Sequence, residues 1–374
     1  MTNDPLSVDE MLARLVGFDS VVGRPNAPIV EFVRDWLSAQ GIVAHVLPGP
    51  EGDRSNLFAS IGPVDRPGFV LSGHLDVVPA MEPGWQADPF VLREDAGRLI
   101  GRGACDMKGF VAAALFMVPE LAAMNLPVPI HLALSYDEEA GCRGVPHLLA
   151  ALPDLCAPPQ GAIIGEPTDL VPVLAHKGKS AIRVTASGTA GHSSRPDLGE
   201  NAIHALVPVL EAAVAQAAAL TQGAQDTRFA PPWSSLQIGT LSGGQALNII
   251  PDTAVAEIEA RAIAGVDPMA LLAPVRDAAE AAGARCDTIS TYPALALAAD
   301  HPLAERLATL SGQRPLDAVS FGTEAGLFQA VGIPSIVCGP GDISRAHKPE
   351  EHLHRDELQA ACALIRRLGE SLAA

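Results

Sequence analysis

The chain has 374 residues, 48% of them apolar and 18% charged, which implies two or three domains with sizeable cores and excludes a disordered chain. With 25 Lys and Arg against 43 Asp and Glu, the formal charge is −18, which disfavours nucleic acid and anionic membranes as partners and favours cations. Aromatic residues make up only 4%.

No apolar stretch reaches about 18–20 residues without a charge, Gly or Pro, so no membrane span is expected. Met1-Thr2-Asn3-Asp4-Pro5 has neither the basic nor the apolar character of a leader. Cys105, Cys142, Cys156, Cys286, Cys338 and Cys362 are scattered, as reduced thiols are, and a cytoplasmic location is expected.

Ser7 and Glu10 have capping-box spacing ahead of a helix with Met11, Leu12, Leu15 and Val16 on its apolar face. A second helix carries Ile29, Phe32, Val33, Trp36 and Leu37 and stops at Gly41. Apolar runs of strand length follow at Phe69 to Ser72, Ile130 to Ser135, Ala162 to Gly165 and Pro334 to Cys338, separated by helices and Gly/Pro loops. They predict an α/β domain with a mostly parallel sheet.

Between residues 178 and 290 the pattern changes. A strand over Ala181 to Ser187 precedes a helix with Ile203, Leu206, Val207, Leu210 and Val214 on one side, then a strand over Ser235 to Leu241. Ala256, Ile258 and Ala260 alternate with Glu257, Glu259 and Arg261, and a helix after Pro268 leads to a strand near Arg285 to Ser290. The order β-α-β-β-α-β is ferredoxin-like. The expected architecture is a catalytic domain of residues 1–177 and 291–374, interrupted by an inserted α+β lid or dimerisation domain of residues 178–290. The insert's sheet, apolar on one face, leaves a surface that a second copy could cover.

Five polar clusters each follow a strand or a glycine-rich turn, where sites form in open α/β sheets. They are Ser72-Gly73-His74-Leu75-Asp76; Gly101-Arg102-Gly103-Ala104-Cys105-Asp106-Met107-Lys108-Gly109; Tyr136-Asp137-Glu138-Glu139; Gly165-Glu166-Pro167-Thr168; and Gly339 to Glu350 with His347. Each has an ordinary reading: a solvated turn, a phosphate loop, a solvated acidic run. Together they supply two imidazoles and several carboxylates with no cysteine placed as a ligand, a donor set for Zn²⁺, Co²⁺ or Mn²⁺. His74, Asp106, Glu139, Glu166 and His347 would suffice for two metals sharing one carboxylate, with Glu138 left beside a bridging water.

These motifs, in this order and with Gly191-His192-Ser193-Ser194, resemble the co-catalytic dizinc amidohydrolases and peptidases of the M20 type over nearly the whole chain. The resemblance implies that His74 and Glu166 hold one metal, Glu139 and His347 the other, and that Asp106 bridges them. It implies two divalent ions, Zn²⁺ with Co²⁺ able to substitute, and a small N-acylated amino acid as substrate. Asp76 would orient His74, Glu138 would be the general base, and His192 would stabilise the oxyanion by lid closure or from a second subunit of a homodimer. Asn248 and Arg261 match positions that touch substrate polar groups, although Arg261 also reads as a plain exposed strand position. Gly322 and Thr323 would present donors to a substrate carboxylate, and Glu324 would meet a cationic side chain or act as a helix N-terminal acid.

Cys105, His176-Lys177-Gly178-Lys179, Phe321 to Gly326 and Ala346-His347-Lys348-Pro349-Glu350 are more similar to the acetylornithine deacetylase branch than to the desuccinylases. The expected reaction is removal of an acetyl group from the α-nitrogen of an amino acid. The alternatives are deacetylation of N-acetylcitrulline, desuccinylation of N-succinyl-diaminopimelate, and a broad aminoacylase or dipeptidase activity.

Overall fold

A computed structural model describes residues 6–373. Met1 to Pro5, read above for leader character, lie outside the described residues.

The chain divides into two compact units. The first contains the residues up to Leu174, then Leu297–Asp317 and the chain from Thr323 onward; the second contains Ala175–Ala296 and Ala318–Gly322.

The first unit is built on a six-stranded sheet. In spatial order its strands are Ala44–Pro48, Ser55–Ile61, Ile130–Ser135, Phe69–His74, Gly161–Pro167 and Ser335–Gly339. The last four run parallel, and the first two form an antiparallel hairpin on one edge. All four parallel strands are buried along their length, which is why they read as unbroken apolar runs. The hairpin was not anticipated, because Ala44–Pro48 is largely exposed and carries no apolar alternation.

Val8–Val16 begins with the expected capping box, Ser7 accepting from the Glu10 N–H and Glu10 accepting from that of Ser7. Ala27–Ala39 ends two residues before Gly41, whose φ of +75° is the left-handed conformation that favours glycine at a helix end. Lys108–Ala123 is buried almost all round, clamped against Val8–Val16 and the C-terminal helix Arg355–Ala373.

The second unit is a four-stranded antiparallel sheet in the order Ser235–Gly243, Thr253–Ala262, Gly178–Ser187, Arg285–Tyr292. Helices Ala202–Leu220 and Ala273–Ala281 pack on one face of it, through Ile182, Val184, Ala256, Ile258 and Ala260. This is the ferredoxin-like order. The other face carries ion pairs, Arg183 with Glu257 and Lys179 with Glu259. One expectation fails in Ala202–Leu220. The residues against the sheet are Ala202, Leu206, Val209 and Ala213, whereas Ile203, Val207 and Val214 are exposed. The helix is apolar on nearly every side, so sequence alone does not say which stripe faces in, and the small Ala202 and Ala213 let the backbone approach the sheet. By length and composition this helix could cross a membrane, although Pro208 and Glu211 interrupt it.

His131, on the buried Ile130–Ser135 strand, bonds through Nδ1 to the Ser60 hydroxyl at 2.8 Å and leaves Nε2 buried without a partner. Burial pushes its pKa down to about 4. The unfolded chain therefore binds a proton near pH 6.5 that the folded chain refuses until about pH 4, so stability is full above that window and falls as pH drops through it. His131 alone accounts for a loss of up to about 3 kcal/mol. Urea midpoints at pH 7 and pH 5 test this: His131→Gln should flatten the loss relative to the parent, and equal losses would assign it to another group.

Candidate active site

The carboxyl ends of three neighbouring parallel strands deliver the first clusters. His74 ends Phe69–His74, the acidic run follows Ile130–Ser135, and Glu166 lies near the end of Gly161–Pro167. Asp106 and His347 come from loops, Asp106 just before the helix Lys108–Ala123.

Asp106 is the centre of the arrangement. Its Oδ1 lies 3.2 Å from His74 Nε2 and its Oδ2 lies 3.3 Å from His347 Nε2, so one carboxylate faces two imidazoles with different oxygens. Glu166 Oε1 is 3.9 Å from His74 Nε2, and Glu139 Oε1 is 3.0 Å from His347 Nε2. His74, Asp106 and Glu139 can converge on one point, as can His74, Glu138 and Glu166. His74 Nδ1 lies 2.8 Å from the Asp76 carbonyl oxygen; donation there fixes the tautomer and leaves Nε2 free to ligate.

The Asp76 carboxylate does something the sequence did not announce. It stands 3.7 Å from His74 Nδ1 and instead accepts the backbone N–H groups of Glu138 and Glu139, each at 3.1 Å. Asp76 therefore orients the acidic run with its carboxylate and His74 with its carbonyl. The three consecutive acids also divide. Asp137 turns away, pairing with Arg54 and accepting the Gly23 N–H, while Glu138 and Glu139 face the imidazoles.

Burial dominates the electrostatics. It raises Glu138 to about 8, Asp76 to about 7 and Glu166 well above the carboxylate range, with the neighbouring acids adding to each. Burial works against the charged forms of His74 and Asp106 too, but the hydrogen bonds and charges they exchange keep His74 high and Asp106 low. Hydrogen bonds to Asp106 and Glu139 raise His347 to about 10. Several carboxylates so close in a buried space repel one another unless a cation lies between them. Two imidazoles and the surrounding carboxylate oxygens, one carboxylate facing both sides, fit a pair of divalent ions.

Peptidase family M20/M25/M40 matches residues 70–371. The chain belongs to this family. It is 34% identical over 368 residues to a protein of Myxococcus xanthus named acetylornithine deacetylase, covering 95% of each chain. Among solved structures, an M20 family metallo-carboxypeptidase of Sulfolobus solfataricus superposes with a TM-score of 0.81 at 18% identity over 98% of this chain and 99% of that one. A dinuclear metal binding peptidase of the M20 family from Bacillus subtilis gives 0.60 at 17% identity, with 98% of both chains covered. The chain is thus an M20 hydrolase acting on amides, with the α/β catalytic fold and inserted domain of that family.

Other predicted residues fall as follows. In the second unit, His192 is exposed on a two-residue strand paired with Ile249–Ile250, its Nδ1 held by the Ser194 N–H and hydroxyl. Asn248 is next to that strand and its carbonyl accepts the Ser193 N–H. Arg261 is no plain solvated alternate: it bonds Glu259 at 2.6 Å and the Tyr292 hydroxyl at 3.4 Å. Gly322 lies where an added Cβ would stand 2.4 Å from the Tyr292 hydroxyl, so any side chain there would have to displace the Tyr292 ring.

In the first unit, Thr323 is fully buried, and its hydroxyl accepts the Ala325 N–H at the start of a short helix. Glu324 stands at the N-terminus of that short helix. It is 1% exposed and accepts the hydroxyls of Ser72 and Ser135, at the ends of two central strands. A short polar run beside a helix start looks the same in sequence whether it faces a ligand or the interior. Sequence reasoning also missed Cys142, whose thiol stands 3.3 Å from Glu138 Oε1, and the buried pair Arg102 and Glu351.

Proposed function

We propose that this chain hydrolyses N2-acetyl-L-ornithine to L-ornithine and acetate, a step of arginine biosynthesis, as a cytoplasmic homodimer carrying two Zn²⁺ ions for which Co²⁺ can substitute. The observation that carries the reading is Asp106 set between two imidazoles, with Glu138 beside them, in a chain that matches the Myxococcus deacetylase over 95% of each length.

In this reading His74 and Glu166 would hold one ion and Glu139 and His347 the other, with Asp106 serving both. A bound pair supplies a Lewis acid and a water made acidic enough to attack near neutral pH. Glu138 takes the attacking water's proton and returns it to the leaving amine. Asp76 keeps Glu138 in place through its backbone N–H. His192 donates to the developing oxyanion, while Asn248, Arg261, Gly322 and Thr323 read the polar groups of the amino acid. Residues 1–177 with 291–374 form the catalytic part and 178–290 the lid and dimerisation part. Exposed Ile203, Val207, Leu241, Leu247 and Ile249 beside the outer edge of Ser235–Gly243 support a second copy as the partner.

Metal-stripped protein should regain hydrolysis of N-acetyl-L-ornithine on addition of Zn²⁺ or Co²⁺, faster than that of N-succinyl-L,L-diaminopimelate, N-acetylcitrulline or N-acetylmethionine, as read by amine release. A restored preference for another member of this panel would replace the substrate and keep the chemistry. Silence across the panel with metal bound would overturn the reaction.

A further inference from the structure

The loop that carries Asp106 and the loop that carries His347 are joined by a buried ion pair. Arg102 and Glu351 are each 1% exposed, with Arg102 Nη1 2.7 Å from Glu351 Oε2. The other carboxylate oxygen of Glu351, Oε1, accepts two consecutive backbone N–H groups, those of Cys105 and Asp106, each at 3.0 Å. Both donors flank or belong to the residue whose carboxylate faces the two imidazoles, so this bond fixes the peptide from which the Asp106 side chain projects.

Further contacts tie the same two loops. The Gly101 N–H donates to the Glu351 carbonyl at 3.0 Å, and Arg102 reaches the Lys348 carbonyl. The guanidinium also bonds Glu82 and lies 5.1 Å from the centre of the Trp85 ring. Glu351 therefore sits four residues beyond one ligand and holds the backbone of another. Burying a carboxylate and a guanidinium costs much of what their attraction returns, so such a pair does little for stability in itself. What it gives here is geometry: Arg102 Nη1 on one oxygen, with Nη2 anchored on Glu82, and two aligned N–H groups on the other leave the carboxylate one orientation.

We propose that Glu351, held by Arg102, is a positioning residue that sets the spacing of Asp106 and His347 and thereby the affinity of the site for its metal ions. The inference rests on the metal-site reading above. It gives an outer-shell carboxylate a role like that of the groups that orient ligands in metal sites generally, whose loss costs about 10–100-fold in affinity.

The test uses Zn²⁺ titration of chelator-stripped full-length protein, the visible absorption of its Co²⁺ form, and the urea midpoint of the metal-free form. Glu351→Gln should weaken Zn²⁺ binding by about 10–100-fold and alter the Co²⁺ spectrum. Arg102→Lys, which keeps the charge and loses the two-armed guanidinium, should do the same to a smaller degree, and it carries the test if Glu351→Gln does not fold. A lowered urea midpoint with unchanged Zn²⁺ affinity and Co²⁺ spectrum would make the pair structural and overturn the proposal. If the parent protein itself binds no Zn²⁺, the metal-site reading falls and this one with it. A parent that binds two ions beside an equally competent variant sinks only the positioning role.

Discussion

Glu138→Gln should lower kcat by about 10²–10⁴ and leave metal content and KM nearly unchanged. The substitution keeps the shape and removes the ability to carry a proton. Glu138 sits in a buried space where desolvation, with Glu139 and Asp76 nearby, raises it to about 8, and the Asp76 carboxylate fixes its backbone. A carboxylate beside the attacking water can take its proton and hand it to the leaving amine, which an amide cannot do. The measurement is steady-state hydrolysis of N-acetyl-L-ornithine beside metal analysis of the same sample. A variant that keeps most of its turnover would move the proton to another group, and one that loses its metal would make Glu138 a ligand.

A second large effect is expected for Asp106→Ala, with activity below about 10⁻³ of the parent and neither ion retained at micromolar metal. Each oxygen of Asp106 faces a different imidazole, so removing the carboxylate subtracts a ligand from both halves of the site at once. Removing Glu166 or Glu139 subtracts from one. Thermal unfolding gives a second readout. The parent should gain stability on metal addition, about 4 kcal/mol when metal is at a thousand times its dissociation constant, and Asp106→Ala should gain almost nothing. Its metal-free form should be less stable than that of the parent, because the substitution takes from His74 and His347 the buried carboxylate that pairs with both. A metal-dependent gain equal to the parent's would show that Asp106 does not hold the ions.

Much of this was legible in sequence because the clusters follow strands. His74, Glu138, Glu139 and Glu166 each stand at or just beyond an unbroken apolar run, and a parallel sheet brings such ends to one side. The ferredoxin-like order of the insert was legible for a similar reason: Ala256, Ile258 and Ala260 alternate with charges, as one-sided strands do. What escaped were relations between side chains and backbone. Nothing in the letters says that Asp76 serves His74 by its carbonyl and the acidic run by its carboxylate. Asp137 cannot be told from Glu138 until Arg54 and Gly23 are seen to claim it. Glu351 is one acid after another in His347-Lys348-Pro349-Glu350-Glu351, and only its partners, Arg102 and the Cys105 and Asp106 N–H groups, distinguish it.

The last parallel strand, Ser335–Gly339, pairs with Gly161–Pro167, Ser335 standing opposite Ala162. On the ribosome the two are separated by the whole insert, roughly 10–30 seconds of synthesis at 5–20 residues per second. During that interval His74, Asp106, Glu138, Glu139 and Glu166 are already made, yet Gly161–Pro167 has an open apolar edge and His347 does not exist. The nascent protein thus passes through a stage with an unfinished sheet and four of the five proposed ligands, when a misplaced neighbour could pair with that edge. An insert that folds on its own schedule would shorten the stage, since it would draw the distant strand close as soon as it emerged.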